Sequence, residues 1–231
     1  MGRRTEGNTD FWKTREGDAW FARNQEALVA YEQAGIDPIR NLIVPFLRSS
    51  DRVLEVGCSN GWRLRQLQAG SPALRPIGID VSMSALRHGK QQGSNYLVRA
   101  DATALPFQAG CIDCVILGFV CYAVGRRSLL QVLAEAERVV QEDGTVVVLD
   151  FLPDSPSENP YSHDSPQALS TLKCDIAEVL VSMGGYQRVA MCVTSDDGKP
   201  APRGLPGSRR VAATVLQRHP LRPDDWAVTQ P

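Results

Sequence analysis

At 231 residues the chain is long enough for one domain with a sizeable core, and its formal net charge of −1, from 25 basic and 26 acidic side chains, gives no electrostatic footprint for nucleic acid. The longest apolar run, Cys114 to Val124, is too short to cross a bilayer, and Met1 to Asp10 has no signal-peptide core. A soluble, cytoplasmic protein with neither a nucleic-acid nor a membrane partner is therefore expected.

Met1 to Asp10 is polar and expected to be disordered. The stretch from Phe11 to Asn24 is rich in aromatics for so polar a context. It reads either as a staple holding a leading helix on the core or as a lid over a cleft. From Gln25 to Leu47 apolar residues recur at helical spacing, interrupted at Asp37-Pro38, where Asp37 is expected to cap a helix carrying Pro38 in its first turn. Residues 1–48 are thus expected to form an N-terminal helical cap, 49–219 an α/β domain and 220–231 a flexible tail.

Val53, Leu54 and Val56 form a short β-branched run that passes through Gly57 and Gly61 into a helical pattern: a strand, a tight turn and a helix entry. Glycines there let a ligand lie on the turn, facing free amides at the start of the helix. Three readings compete. The dinucleotide fingerprint fails because Trp62 follows Gly61 at the wrong spacing. The segment Gly57-Cys58-Ser59-Asn60-Gly61 fits G-x-S-x-G, a hydrolase elbow with Ser59 as nucleophile, but an elbow needs several strands before it and a late His, and His219 lies in a Pro-rich tail. The third reading rests on Glu55, Gly57, Ser59 and Gly61, which resemble motif I of the class I S-adenosylmethionine-dependent methyltransferases, with Ser59 at the middle glycine.

Later elements extend that resemblance. The strand Pro76 to Asp80 ends on an acid, placed where doubly wound sheets hold both ribose hydroxyls; it resembles the family's motif II, with Val81 and Ser82 beside the adenine. Tyr96 to Val98 is the third strand. The run Ala100-Asp101-Ala102, followed by Leu105-Pro106-Phe107, resembles motif III, which implies that Asp101 accepts from the adenine amine and that Ala102 lies beside it. Cys111 to Leu117 is the fourth strand, where the resemblance implies that Leu117 and Gly118 offer backbone to the cofactor's amino group and that Tyr122 stands near the methyl. Arg127 to Gln141 is an amphipathic helix, turned by Glu142-Asp143-Gly144 into a strand from Thr145 to Asp150.

Phe151 to Pro166 reads as a long loop at the ligand end of the sheet. Asp175 to Met183 reads as a helix, and Tyr186 to Thr194 with Val211 to Arg218 as a closing antiparallel pair. The expected fold is therefore a Rossmann-like class I methyltransferase: a seven-stranded, mostly parallel sheet with a C-terminal antiparallel hairpin and helices on both faces.

Two segments resemble a narrower group. Phe11, Trp12, Gly17, Asp18, Arg23 and Asn24, with Trp20, match the opening of bacterial methyltransferases found with glycan and nucleotide-sugar biosynthesis, including the pseudaminic-acid-associated group. Asn159-Pro160-Tyr161-Ser162-His163 resembles the N-x-Y-x-H loop of the same proteins. Together these resemblances imply S-adenosylmethionine as cofactor, held by Trp12, Asn24, Glu55, Gly57, Ser59, Gly61, Asp80, Val81, Asp101, Ala102, Leu117 and Gly118, and methyl transfer to oxygen or nitrogen of a sugar, nucleotide sugar or natural-product intermediate. If a base assists, His163 is the first candidate, Asp150 the second and Tyr122 the third. A non-catalytic sensor or partner subunit that binds the same cofactor is the alternative. The expected partners are a small-molecule substrate and at most a second copy of the chain. The lone C-x-x-C at Cys111 and Cys114 lacks a second ligand pair, so no metal site is expected.

Overall fold

Alternation along each central strand sends successive side chains to opposite faces, and both faces here are apolar, so the sheet must be covered on both sides. In the computed structural model, which describes residues 10–35, 37–94, 96–161, 163 and 170–219, that is the arrangement found. Strands β1 (Arg52–Val56), β2 (Arg75–Asp80), β3 (Leu97–Arg99), β4 (Ile112–Gly118), β5 (Val140–Phe151), β8 (Tyr186–Ser195) and β9 (Arg210–Arg218) form one seven-stranded sheet in the order β3-β2-β1-β4-β5-β9-β8. The first five are mutually parallel and β9 runs antiparallel to both β5 and β8.

Helices α2 (Pro38–Ile43), α3 (Trp62–Gly70) and α4 (Met83–Gln91) cover one face, burying Ile39, Ile43, Leu64 and Leu86 against Val53, Ile116, Val147 and Val215. Helices α5 (Arg126–Val139) and α6 (Ile176–Ser182) cover the other, burying Leu129, Leu133, Ala136 and Leu180 against Leu54, Val115, Leu117 and Val146. Asp37 caps α2, its side chain accepting from the Ile39 N–H at 3.2 Å. Ahead of these, a π-helical turn (Trp12–Glu16) runs directly into α1 (Gly17–Ala34), and Phe21 and Leu28 of α1 pack with Trp62 and Ala85.

The strand order reverses between β1 and β4, so the carboxyl ends of those two strands flank a crevice, the usual ligand position in open α/β sheets. That crevice is roofed by α1. Asp18 at its start accepts from the Ser82 hydroxyl at 2.7 Å and from the Ser84 N–H at 3.1 Å and hydroxyl at 2.8 Å, while Arg65 grips Glu32 with two nitrogens at 2.7 and 2.6 Å.

Three expectations change. β5 begins at Val140 rather than Thr145: α5 ends at Val139 and the chain enters the strand without a separate turn, bending at Asp143, whose φ is +62°. The stretch expected as a loop from Phe151 contains β6 (Ser157–Pro160), paired antiparallel with β7 (Ser170–Lys173) in a small ribbon, because exchange of backbone hydrogen bonds satisfies groups that a bare loop would leave to water. β3 starts at Leu97, leaving Tyr96 exposed. The expectations for residues 1–9, for the tail 220–231 and for Asp164 to Pro166 lie outside the described residues.

Candidate active site

The glycine turn after β1 sets the floor. Gly57 has φ +73°, and a Cβ there would come within 3.1 Å of Val120, so the turn and the loop after β4 can approach this closely only with glycine. Ser59 also takes a left-handed conformation, φ +53°, and its N–H donates to Asp80 Oδ2 at 2.7 Å, while Asp80 Oδ1 accepts from the Ser82 N–H at 2.8 Å. One carboxylate thus ties the turn after β1 to the turn after β2. Burial pushes the Asp80 carboxyl above its ordinary value, opposed by the amides of Ser82, Ser59 and Val81.

Parity along β1 turns Glu55 toward the α3 side, into a buried ion cluster. Arg63 Nε donates to Asp37 Oδ2 at 2.8 Å, and Arg63 Nη1 pairs with Glu55 Oε1. The side chains of Arg63, Asp37 and Glu55 are 8%, 0% and 2% exposed, so two carboxylates share one guanidinium almost out of water. Burial pushes the Glu55 carboxyl up to about 7 against the pull of Arg63. Its second oxygen, Oε2, is buried with no hydrogen-bond partner among the described residues.

Asp101 is positioned from a distance. Glu135 accepts the Leu105 N–H at 2.6 Å, and Arg138 donates to the carbonyls of Phe107 at 2.7 Å and Leu105 at 3.0 Å, clamping the loop that follows β3 onto α5. Asp101 accepts from the Thr103 N–H at 2.9 Å and forms an ion pair with Lys13, on the π-helical turn. Burial alone pushes this carboxyl up; the Lys13 and Thr103 hydrogen bonds more than offset that and leave it below the ordinary value.

Glu55, Asp80 and Asp101 all line one cavity of about 470 Å³, together with Trp12, Asn24, Gly57, Ser59, Val81, Ala102, Gly118 and Tyr122. Its far end, beyond Gly118, is walled by Phe119, Tyr122 and Phe151. Four expected site residues stand outside it. Gly61 starts α3 and packs against Leu97 and Ser94, where a Cβ would lie 3.0 and 3.1 Å away. The Leu117 side chain is fully buried in the α5-side core. Asp150 is 4% exposed and turns inward, accepting the N–H groups of Tyr122 at 3.1 Å and Phe151 at 2.8 Å. His163 is exposed, its ring edge-on to Tyr161 with centroids 5.4 Å apart.

The pairings of Arg63, Lys13 and Phe119 escaped the sequence reading. Arg63 had a visible signal, a cation just after the glycine turn, but no pattern identifies its buried partners. Glu16 escaped as well: it is 4% exposed and accepts from both Arg23 and the Tyr161 hydroxyl, joining the π-helical turn to the segment after β6.

The hydrolase reading finds no support. Ser59 Oγ has no hydrogen-bond partner among the described residues, and the three histidines are engaged elsewhere: His88 with Asn60 at 3.3 Å, His219 with Gln187 at 2.9 Å, and His163 against Tyr161. Cys111 packs on the α5-side core and Cys114 is buried in the opposite one, so their thiols face away from each other.

The donor set fits a sulfonium nucleoside. Asp80 and Asp101 are acceptors suited to ribose hydroxyls and an exocyclic amine, and the orphaned Glu55 Oε2, whose ionised form is costly without a donor, is suited to an ammonium. The buried Ser59 hydroxyl adds a second unsatisfied polar atom on the turn.

Residues 54–148 match a protein family described as a methyltransferase domain. Demethylmenaquinone methyltransferases of Staphylococcus aureus are 30% identical over 131 residues, 53% of this chain and 52% of theirs, so the chain spans about half the length of these curated relatives. Among solved structures, an S-adenosylmethionine-dependent methyltransferase from Methanosarcina mazei superposes with a TM-score of 0.60 at 13% identity, covering 79% of this chain and 98% of that one. One from Leishmania major gives 0.64 at 13%, covering 92% and 82%. At such identities the structures speak for the fold, which is Rossmann-like and of the class I methyltransferase kind. Over residues 54–148, which hold the first four strands of the sheet and most of the fifth, the chain thus matches a methyltransferase domain.

Proposed function

We propose that the chain transfers a methyl group to an oxygen or nitrogen of a small-molecule acceptor. The observation that supports this most is that one cavity is lined both by three strand-end carboxylates, Glu55, Asp80 and Asp101, and by the aromatic rings of Phe119, Tyr122 and Phe151. S-adenosylmethionine supplies a methyl group already activated on a positive sulfur. The chain's own residues then have to bind, orient and exclude water, and alignment of this kind can supply about 7–11 kcal/mol, against roughly 3–5 for a general base. In this reading Asp80 holds the ribose, Asp101 the adenine amine, and Glu55 the ammonium. The N-terminal cap, residues 1–48, acts as a lid; its described part contributes Trp12, Lys13, Trp20 and Asn24 to the cavity. The near-neutral charge favours a small molecule as sole substrate, and the resemblance of the N-terminal and Tyr161 segments favours a sugar, nucleotide sugar or natural-product intermediate. Among the described residues no helix is long and apolar enough to cross a membrane.

The test has two arms. Titration with S-adenosylhomocysteine is expected to give saturable heat, and an acceptor screen is expected to release S-adenosylhomocysteine from S-adenosylmethionine. Absence of heat would overturn the proposal; heat without turnover across the screen would favour the sensor reading.

Of the base candidates, Tyr122 alone lines the cavity. Asp150 acts as a positioning residue, since its carboxylate fixes the backbone that carries Tyr122 and Phe151. Burial pushes Asp150 up to about 7, opposed by the amides of Phe151 and Tyr122. Between its unfolded value of about 4 and that folded value the native state binds the proton more tightly, so this group favours the fold at acid pH and its contribution is lost as pH rises to about 7. Relative to the parent, Asp150→Asn is expected to remove about 2–3 kcal/mol of that decline between about pH 5 and 7.5. Denaturant unfolding of both proteins across that range measures it; parallel profiles would show that Asp150 does not titrate there.

A further inference from the structure

The far end of the cavity differs in chemistry from the end that suits the nucleoside. Phe119, Tyr122 and Phe151 stand edge-on to one another, with centroids 6.4 Å apart at 87°, 5.8 Å at 63° and 5.2 Å at 82°. Trp12 and Trp20 face the cavity from the roof. Polar groups are few here: Asp196 lines the cavity but pairs with Arg209 at 2.8 Å, and the Lys173 ammonium lies over the Phe151 ring, 3.6 Å from its centroid. Asn24 Nδ2 is already spent on the Trp20 carbonyl at 2.8 Å, and the Tyr122 hydroxyl makes no hydrogen bond among the described residues.

Phe119 is the telling residue. It has φ +53°, a conformation that costs a bulky side chain about 1–3 kcal/mol, and its N–H is held to the Leu149 carbonyl at 2.8 Å, which pins the backbone in place. The result is a large apolar ring left 38% exposed at the cavity, where relaxation to an ordinary conformation would redirect it. Strain kept in order to present an apolar ring to an empty space points to something that packs on that ring.

We propose that this end takes a planar aromatic or heteroaromatic acceptor, with Phe119 as its packing surface and the Tyr122 hydroxyl as the hydrogen-bond partner of the hydroxyl or amino group it carries. The inference rests on the methyltransferase reading above and narrows its acceptor. A hexose would bring several hydroxyls into this wall, each costing about 1–3 kcal/mol if left without a partner, and the polar side chains in the lining there are Tyr122 and Asp196, the latter already paired with Arg209. A flat ring needs no more than the Tyr122 hydroxyl.

The test is calorimetry on the full chain saturated with S-adenosylhomocysteine, using 2-naphthol, 8-hydroxyquinoline and caffeic acid as aromatic probes and UDP-glucose as the polar one. At least one aromatic probe is expected to bind. Phe119→Ala is expected to weaken that binding by about 10-fold and Tyr122→Phe by a smaller factor, with the heat of S-adenosylhomocysteine unchanged in both. Phe119→Gly guards against a folding artefact, because glycine relieves the backbone strain while removing the ring; it is expected to lose the probe and keep the fold. Binding of UDP-glucose in place of every aromatic probe, or aromatic binding indifferent to both Phe119 variants, would overturn the proposal. Loss of S-adenosylhomocysteine binding by the parent protein would instead overturn the reading on which it rests.

Discussion

Arg63→Met is expected to lower the stability of the fold by about 3–5 kcal/mol, the cost of removing one partner from a buried ion pair, and thermal unfolding is expected to shift downward by roughly 6–20 °C. The substitution preserves much of the side-chain volume, so the loss is electrostatic: Glu55 and Asp37 would face each other across a site that water barely reaches. Arg63→Lys is not a conservative alternative, because the guanidinium reaches the two carboxylates with separate nitrogens, Nε for Asp37 and Nη1 for Glu55, and a single ammonium cannot reproduce that fork. The triple variant Asp37→Asn, Glu55→Gln, Arg63→Met is expected to recover most of the loss, since it removes the stranded charges together. A shift of less than about 2 °C for Arg63→Met would mean that water reaches the cluster and screens it. The triad also keeps a carboxylate beneath Gly118, where a Cβ would lie 3.0 Å from Arg63 Nη1 and 3.6 Å from Glu55 Oε1.

Asp80→Asn is expected to weaken S-adenosylhomocysteine binding by about 10²-fold or more, as two hydrogen bonds to a charged acceptor are worth about 3–6 kcal/mol together. Both Asp80 oxygens already accept a backbone N–H, from Ser59 and Ser82, so one face of an asparagine amide would have to set its own N–H₂ against a donor. The variant therefore disturbs the glycine turn as well as the ribose contacts. Asp101→Asn is expected to cost less, about 3- to 10-fold, because the amide oxygen can still accept from Thr103 or the ligand. Calorimetry on the three proteins measures the order. Binding by Asp80→Asn within about threefold of the parent would exclude this carboxylate from the nucleoside site.

Much of the architecture was legible in the chain because its signals are local. The β-branched runs at Val53, Ile77, Val115 and Val146, the glycines after Val56 and the helical spacing from Leu129 to Val139 each depend on neighbours within one turn or one strand, and the seven-stranded sheet follows from them. The three acids at successive strand ends belong to the same class: a doubly wound sheet brings its carboxyl ends to one rim whatever the loops do. The ribbon of β6 and β7 was missed for the converse reason. Its two strands lie across an intervening segment, and neither has the alternation that marks a strand.

What only the tertiary structure decided is which side chain of each pair of neighbours reaches the cavity, and what it meets there. Asp150 and Phe151 are adjacent in sequence, yet strand parity buries the acid and presents the ring. His163 has suitable chemistry for a base but sits beside Tyr161 on the outside. The ion pairs of Arg63 with Asp37 and of Lys13 with Asp101 join residues 26 and 88 positions apart. The left-handed backbone of Phe119 is imposed by its hydrogen bond to a neighbouring strand. Periodicity and composition report preferences over a few residues; contacts closed across the sheet depend on where the whole chain brings its ends together, and it is those contacts that give the cavity its two chemically different halves.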